Sequence, residues 1–409
     1  MDEEDAGLGA SMPLSARAPD LDIHFQPIVS LKQKAVMGFE ALARPHAIGV
    51  TKMFAEARQA GRLLELDRRC RAQAMEAFQN IPFPPRLQRP LLFLNFETSL
   101  IDEGVEGSGA LLDATWAAGL EPCDIVIELN ETKAYDLEML KRFVERHRQL
   151  GFLIALDDMG SGHSNLPRIS ELRPHIIKLD RSLVHGVDHN FFKQETMKSL
   201  VLLGKTIGSL VLAEGVETQA ELDICAALGA KLFQGFHFAR PMPPAQLLLD
   251  TLEPLLADAA RRQRALAADS IRTRRLEALE LIELASSGCE RLRNVSVEAF
   301  DDCLSAWVVD CPVIEAAYVL DNDGLQISRT HLGQGIRPSG NRMFLPATKG
   351  ADHAYKEYFY SLLDTGLDQF ITDSYISLAT GQPCRIVAMS IPHVSGSQYV
   401  LCIDQRLQF

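Results

Sequence analysis

Residues 151–180, GFLIALDDMGSGHSNLPRISELRPHIIKLD, hold two short apolar runs, FLIALDD (152–158) and IIKLD (176–180), each ending on charged side chains. Runs that are apolar without alternation mark strands buried on both faces, as in a parallel sheet covered by helices. The same unit recurs on both sides of this stretch. AVMGFE (35–40), LLFLNF (91–96), DIVIEL (124–129), LVLAEGVE (210–217) and KLFQGF (231–236) are further runs. Between them lie helical stretches such as MFAEARQAGRLLELDRRCRAQAMEAF (53–78) and ETKAYDLEMLKRFVERHRQLG (131–151), the second with Gly151 placed to cap it. Seven or eight such units between residues 21 and 250 predict an α/β chain closed into a (β/α)8 barrel.

The flanks read differently. Residues 1–20 are small and charged types with prolines, a pattern of disordered tails. Beyond Pro243, Leu252, Leu255 and Ala259, then Leu276, Leu279 and Ile282, fall at helical steps among many Arg and Glu. Residues 251–292 are therefore expected to form a long connecting helix, broken near Ser287 and Gly288. Residues 293–409 carry strand signals: AAYVLDNDGLQIS as a hairpin around an Asp-Gly turn, then CRIVAMSIP and SQYVLCID. They predict a second domain, α+β with an antiparallel sheet.

A net charge of −13, from 41 Lys and Arg against 54 Asp and Glu, gives a surface field that repels DNA and anionic membranes. A phosphate ligand needs local help from a metal or placed cations. The eight Cys lack any CxxC pair or zinc spacing, and are expected to be reduced thiols of a cytoplasmic protein. The acidic first residues lack the order of a secretion signal, and no apolar run approaches the roughly 20 residues that span a bilayer.

Reactive groups of such barrels sit where strands end at the C-terminal rim. That places Glu40, Asn95, Glu128, Asp157, Asp158, Lys178, Glu214 and Gln234 around one opening. So many acids repel one another unless cations lie between them, and an all-oxygen donor set selects Mg²⁺ or Mn²⁺. Adjacent Asp157 and Asp158 suit two ions close together, the layout of two-metal phosphoryl chemistry. Taken singly, each residue has a plainer role: Glu40 or Glu128 as a helix cap, Asp157 and Asp158 as turn formers. His24 and His163 have no His or Cys at ligand spacing.

FQPIV (25–29), EALAR (40–44), Asn95 of LNF, ELNE (128–131), DDMGSGH (157–163), KLD (178–180), AEGVE (213–217) and QGF (234–236) resemble, in order, the motifs of EAL-domain cyclic di-GMP phosphodiesterases. The resemblance spans residues 21 to about 246 and implies a TIM-like barrel opening cyclic di-GMP to linear pGpG with Mg²⁺ or Mn²⁺, as a homodimer. It implies metal binding by Glu40, Asn95, Glu128, Asp157, Asp158 and Glu214, with Glu40, Lys178 and Glu214 catalytic. Lys178 would position the attacking water and Glu214 take its proton. Gln26, Arg44 and Gln234 would face the dinucleotide, Arg44 through a phosphate oxygen. Glu131 and Glu217 would brace the rim loops. Pro45 stands where the family usually has an aromatic residue, and DDMGSGH replaces the commoner DDFGTGY. The altered loop leaves a second function open, a receptor that binds cyclic di-GMP without cutting it. A hydrolase for another phosphodiester is a third.

The pattern of residues 293–409 resembles Cache or PAS-type sensor domains. That resemblance implies a small, unidentified ligand against the sheet, near Lys356, Tyr358 and Tyr375, or a domain that only dimerises.

Overall fold

The computed structural model describes residues 21–46, 48–83, 89–101, 109–130, 136–161, 166–247, 249–338, 340 and 344–407. The N-terminal tail, Glu131 and His163 lie outside them. Contacts divide the chain into two units, Met1–Ala267 and Ala268–Phe409.

In the first unit eight strands close a barrel in sequence order: β1 (Leu21–Ser30), β2 (Ala35–Pro45), β3 (Leu91–Phe96), β4 (Ile125–Asn130), β5 (Leu153–Met159), β6 (Ile176–Leu179), β7 (Leu210–Ala213) and β8 (Leu232–Phe233). Strands β2 to β8 run parallel, and the seven apolar runs supply them. The eighth strand, β1, is antiparallel to both β2 and β8. Only residues 31–34 join β1 to β2, far fewer than the dozen or so a parallel crossover needs, so the chain must turn back on itself. This ribbon continues past Glu40, pairing Leu21 with Pro45.

Helices α1 (Val50–Gln59), α2 (Leu63–Gln79), α3 (Ala110–Ala117), α4 (Leu137–Gln149), α5 (Leu166–Leu172), α6 (Arg181–Val184), α7 (Phe191–Ile207) and α8 (Gln219–Leu228) follow the strands. The single stretch expected over 53–78 is two helices, because Gly61 adopts a left-handed φ of 66° and turns the chain between them. Asp136 caps α4 through the Glu138 and Met139 amides, and Thr218 with Glu221 forms a capping box on α8. Gly151 follows α4 with φ 99°, as expected.

The bottom of the barrel is plugged by Ile28, Phe93, Val126, Ala155, Ile176, Leu212 and Leu232, one side chain from each of seven strands. The eighth contributes Gly38, whose missing Cβ makes room for the Phe93 ring; a methyl there would lie 2.6 Å from it. Strand side chains alternate faces, so two residues toward the mouth each strand points inward again. Those next inward positions are Gln26, Glu40, Asn95, Glu128, Asp157, Lys178, Glu214 and Gln234.

Helix α9 (Leu249–Arg293) runs unbroken through Pro254 and through the expected break at Gly288. Gly288 serves packing instead, since a Cβ would lie 2.4 Å from the Trp307 ring. Leu249 to Ala259 pack in the first unit, and Leu281 to Leu292 in the second. The second unit adds α10 (Phe300–Asp310), β9 (Ile314–Leu320), β10 (His331–Leu332), α11 (Glu357–Leu363), β11 (Gln369–Ile371), β12 (Tyr375–Ile376), β13 (Pro383–Pro392) and β14 (Gln398–Arg406). Its sheet is antiparallel, ordered β10-β9-β14-β13-β11, with β12 also on β13. The expected hairpin at 316–328 shrinks to one bridge, Leu320 with Gln326, because β10 takes the outer edge of β9. Alternation along β9 splits the core: Ala317 and Val319 meet α9 and α10, while Tyr318 and Leu320 meet α11.

Candidate functional site

The period-two placement brings the inward polar residues together in two hydrogen-bonded groups. In the first, Glu40 accepts from Asn95 Nδ2 at 3.2 Å and from Gln234 Nε2 at 2.6 Å. Gln234 Nε2 also donates to Gln26 Oε1 at 3.1 Å, and Gln26 Nε2 donates to the Ala239 carbonyl at 3.0 Å. In the second, Lys178 Nζ stands 2.5 Å from Glu128, 3.0 Å from Asp157 and 2.7 Å from Glu214. Lys178 and Glu128 are each only 1% exposed.

Asp158 should point away from its neighbour Asp157 by strand alternation. It does not, because the pairing with β6 slips between Leu156 and Met159 and Asp158 takes a left-handed φ of 59°. A bulge of this kind re-aims a side chain, and both carboxylates line one cavity. Asn130 Nδ2 donates to Asp158 Oδ2. Met159 itself is fully buried in the core, so the change from the commoner aromatic is one apolar side chain for another beneath the loop.

Charge in the second group is out of balance. Burial raises the Glu128 pKa well above the carboxylate range, against the pull of Lys178, and the carboxylates of Glu40, Asp157 and Glu214 add to it. Burial likewise lifts Glu214 to about 8, with Lys178 opposing and Asp157 and Glu40 reinforcing. For Lys178 burial works downward, but Asp157, Glu128, Glu214 and Glu40 outweigh it and hold the amine charged. One ammonium serves at least three acids. Glu128 Oε1, Asp157 Oδ1 and Glu214 Oε1 share the Lys178 ammonium, while among the described residues Glu128 Oε2 and Gln234 Oε1 are buried without a hydrogen-bond donor. Unsatisfied oxygens of this kind fit a hard divalent cation. The arrangement is a ring with an ammonium inside it rather than a finished cage: among the described residues no three Asp, Glu, His or Cys side chains converge as metal ligands.

Above the ring opens a cavity of about 600 Å³. Glu40, Arg44, Asn95, Asp157 and Asp158 line it, together with Asp67, Arg71 and Arg58 from α1 and α2, which sequence reasoning missed. Gln26 and Gln234, expected to face the dinucleotide, lie beneath as a relay to Glu40 rather than in the cavity wall. Arg44 Nη1 donates to the Ala43 carbonyl at 3.1 Å. Glu217 holds Arg181 at the start of α6, with Oε1 at 3.0 Å from Nε and 2.9 Å from Nη2.

In the second unit Tyr358 is a buried residue of α11, hydrogen-bonded to Tyr318 OH at 3.1 Å and to His353 Nδ1 at 2.7 Å. Lys356 stands at the N-cap of α11, and Tyr375 is partly exposed on β12. Asp404 Oδ1 and Glu315 Oε2 are buried without partners on this sheet.

Comparison with known proteins adds the following. The EAL domain family model matches residues 11–241. The EAL-domain protein YkuI of Bacillus subtilis is 25% identical over 377 residues, covering 88% of this chain and 89% of its own. Its crystal structure, with cyclic di-GMP and calcium, superposes with a TM-score of 0.77 over 95% of this chain and 97% of that one. Klebsiella pneumoniae BlrP1, solved with manganese and cyclic di-GMP, is 31% identical with a TM-score of 0.50, covering 55% of this chain and 58% of its own. The cyclic di-GMP phosphodiesterase NbdA of Pseudomonas aeruginosa is 28% identical over 241 residues, 56% of this chain and 30% of NbdA. The chain spans less than a third of the length of the first curated relatives it matches.

Proposed function

The chain belongs to the EAL-domain family, and on that premise we propose that its barrel is a divalent-metal-dependent phosphodiesterase that opens cyclic di-GMP to pGpG. The observation that carries this is the inward ring, in which the Lys178 ammonium is shared by Glu128, Asp157 and Glu214 while, among the described residues, Glu128 Oε2 and Gln234 Oε1 are buried without a donor. Glu40, Asn95, Glu128, Asp157, Asp158 and Glu214 would hold Mg²⁺ or Mn²⁺, Gln234 keeping Glu40 oriented. Such ions, when bound, supply positive charge to the phosphate oxygens and make water a better nucleophile.

The side chains do the rest. Arg44 on the cavity wall donates to a phosphate oxygen. Lys178, pinned by three carboxylates, holds the attacking water, and Glu214 beside it takes that water's proton. The water oxygen bonds to phosphorus, the P–O3′ bond breaks, and the 3′ oxygen leaves with a proton from solvent. The antiparallel sheet with helices on both faces supports a Cache or PAS-like sensor role for residues 293–409, tuning a homodimer. Among the described residues no helix is long and apolar enough to cross a membrane.

Chromatography of cyclic di-GMP incubated with the purified chain and Mn²⁺ tests the proposal, with pGpG as the expected product. Nucleotide bound but never cut would make the protein a receptor, and cleavage of linear dinucleotides alone would make it a hydrolase for another phosphodiester.

A further inference from the structure

Helix α2 carries Asp67 and Arg71 one turn apart, 3% and 6% exposed and paired with each other. Burying an ion pair sacrifices hydration that the attraction barely returns, so such a pair adds little to stability and its geometry is the better place to look for a role. Burial raises the Asp67 carboxyl despite the guanidinium beside it. Both side chains grip the end of β3. Asp67 Oδ1 accepts the Glu97 amide at 3.3 Å, and the Arg71 guanidinium lies 4.4 Å from the centre of the Phe96 ring. Phe96 and Glu97 are the two residues after Asn95.

The path continues across the mouth. Glu97 Oε1 accepts from Ser99 Oγ at 2.8 Å and from Arg58 Nη2 at 3.1 Å. Thr98 Oγ1 donates to the Asn130 carbonyl at 2.8 Å, and Asn130 Nδ2 donates to Asp158. Helix α2 is thus linked in series to the exits of β3, β4 and β5. Asn95 sits near one end and left-handed Asp158 at the other.

We propose that Asp67 and Arg71 are positioning residues, which with Thr98 and Asn130 fix the separation of Asn95 from Asp158 and so set the affinity of the mouth for a divalent ion. This rests on the metal-dependent reading above. Groups that orient ligands from behind typically change metal affinity by about 10–100-fold when lost.

The test is calorimetric titration of the full chain with Mn²⁺, without nucleotide, alongside thermal unfolding in chelator. Arg71→Met is expected to weaken Mn²⁺ binding about tenfold or more, and Arg71→Lys to recover part of it. Thr98→Val removes one hydroxyl at constant shape, leaves both members of the ion pair in place, and is expected to weaken binding in the same direction. Because both lie on one path, the double variant should fall short of the product of the two single effects. Should Arg71→Met fail to fold, Thr98→Val decides alone: Mn²⁺ affinity unchanged in that variant overturns the proposal. Wild-type chain that binds Mn²⁺ but never cuts cyclic di-GMP would sink the hydrolase reading and leave this inference standing. Wild-type chain that binds no Mn²⁺ would sink both.

Discussion

Replacing Lys178 by Met removes the ammonium that lies between Glu128, Asp157 and Glu214 while keeping a side chain of similar length. Deleting one partner of a buried ionic group costs about 3–5 kcal/mol, because the remaining charges stay desolvated and unpaired. For a domain of this size each kcal/mol moves the unfolding midpoint by roughly 2–4 °C, which gives a drop of about 6–20 °C in chelator. Protons can partly replace the lost cation, so pH matters. Glu214 in the folded chain ionises at about 8, far above its ordinary value, so the folded state keeps a proton that the unfolded chain sheds in mild acid. Stability from that proton is complete at acid pH and disappears as pH rises toward 8. Lys178 holds the wild-type Glu214 down, so without it this carboxyl should titrate higher still, and the deficit of Lys178→Met should widen as the pH passes 8. Mn²⁺ at about a hundred times its dissociation constant should return about 2.7 kcal/mol. Calorimetric scans of both proteins, in chelator and in Mn²⁺, read all three effects. A variant that unfolds at the wild-type temperature in chelator at pH 8 would falsify the picture of a single ammonium balancing this ring.

Other perturbations have defined outcomes. Glu40→Ala should abolish pGpG formation while circular dichroism stays that of the wild type, since Glu40 sits above the apolar plug; retained turnover would contradict its place among the ligands. Asp404, whose carboxyl burial lifts to about 7, keeps a proton that the unfolded chain loses near pH 4, so the second unit should lose stability as pH rises from about 4 to 7. Asp404→Asn should flatten that slope and leave the second unit more stable by about 1–3 kcal/mol above pH 7, read by urea melts at several pH values; an unchanged slope would refute it. Gly235→Ala would bring a Cβ within 2.0 Å of the Val216 carbonyl oxygen and should cost about 1–3 kcal/mol or more in urea unfolding, and no loss would show the rim backbone to be pliant.

Seven of the eight barrel strands were legible because each is an unbroken apolar run ending in a polar residue. The eighth was not among those runs because its pattern differs: Asp22, His24 and Gln26 alternate with apolar residues and Pro27 lies within it, so β1 lacks the continuous apolar stretch that marks the other seven. The rim residues were legible as the polar groups at the ends of the runs, and the structure adds that each lies two positions toward the mouth from an inward residue of the floor. Asp158 breaks that rule, and only the left-handed backbone shows how it reaches the mouth. Asp67 and Arg71 went unseen because charges four apart on a helix look like a solvated pair, and burial is set by neighbours from elsewhere in the chain. Gly288 misled in the opposite direction, a helix breaker by propensity that is kept for the space it leaves under Trp307.

The reversed first strand also decides where attachments arrive. Had β1 run with the other seven, a partner fused ahead of it would hang from the closed floor of the barrel. Because Leu21 pairs with Pro45 at the top of the ribbon, the first strand begins beside the open mouth of the barrel. A bulky group fused directly to Leu21 would therefore start out at that mouth.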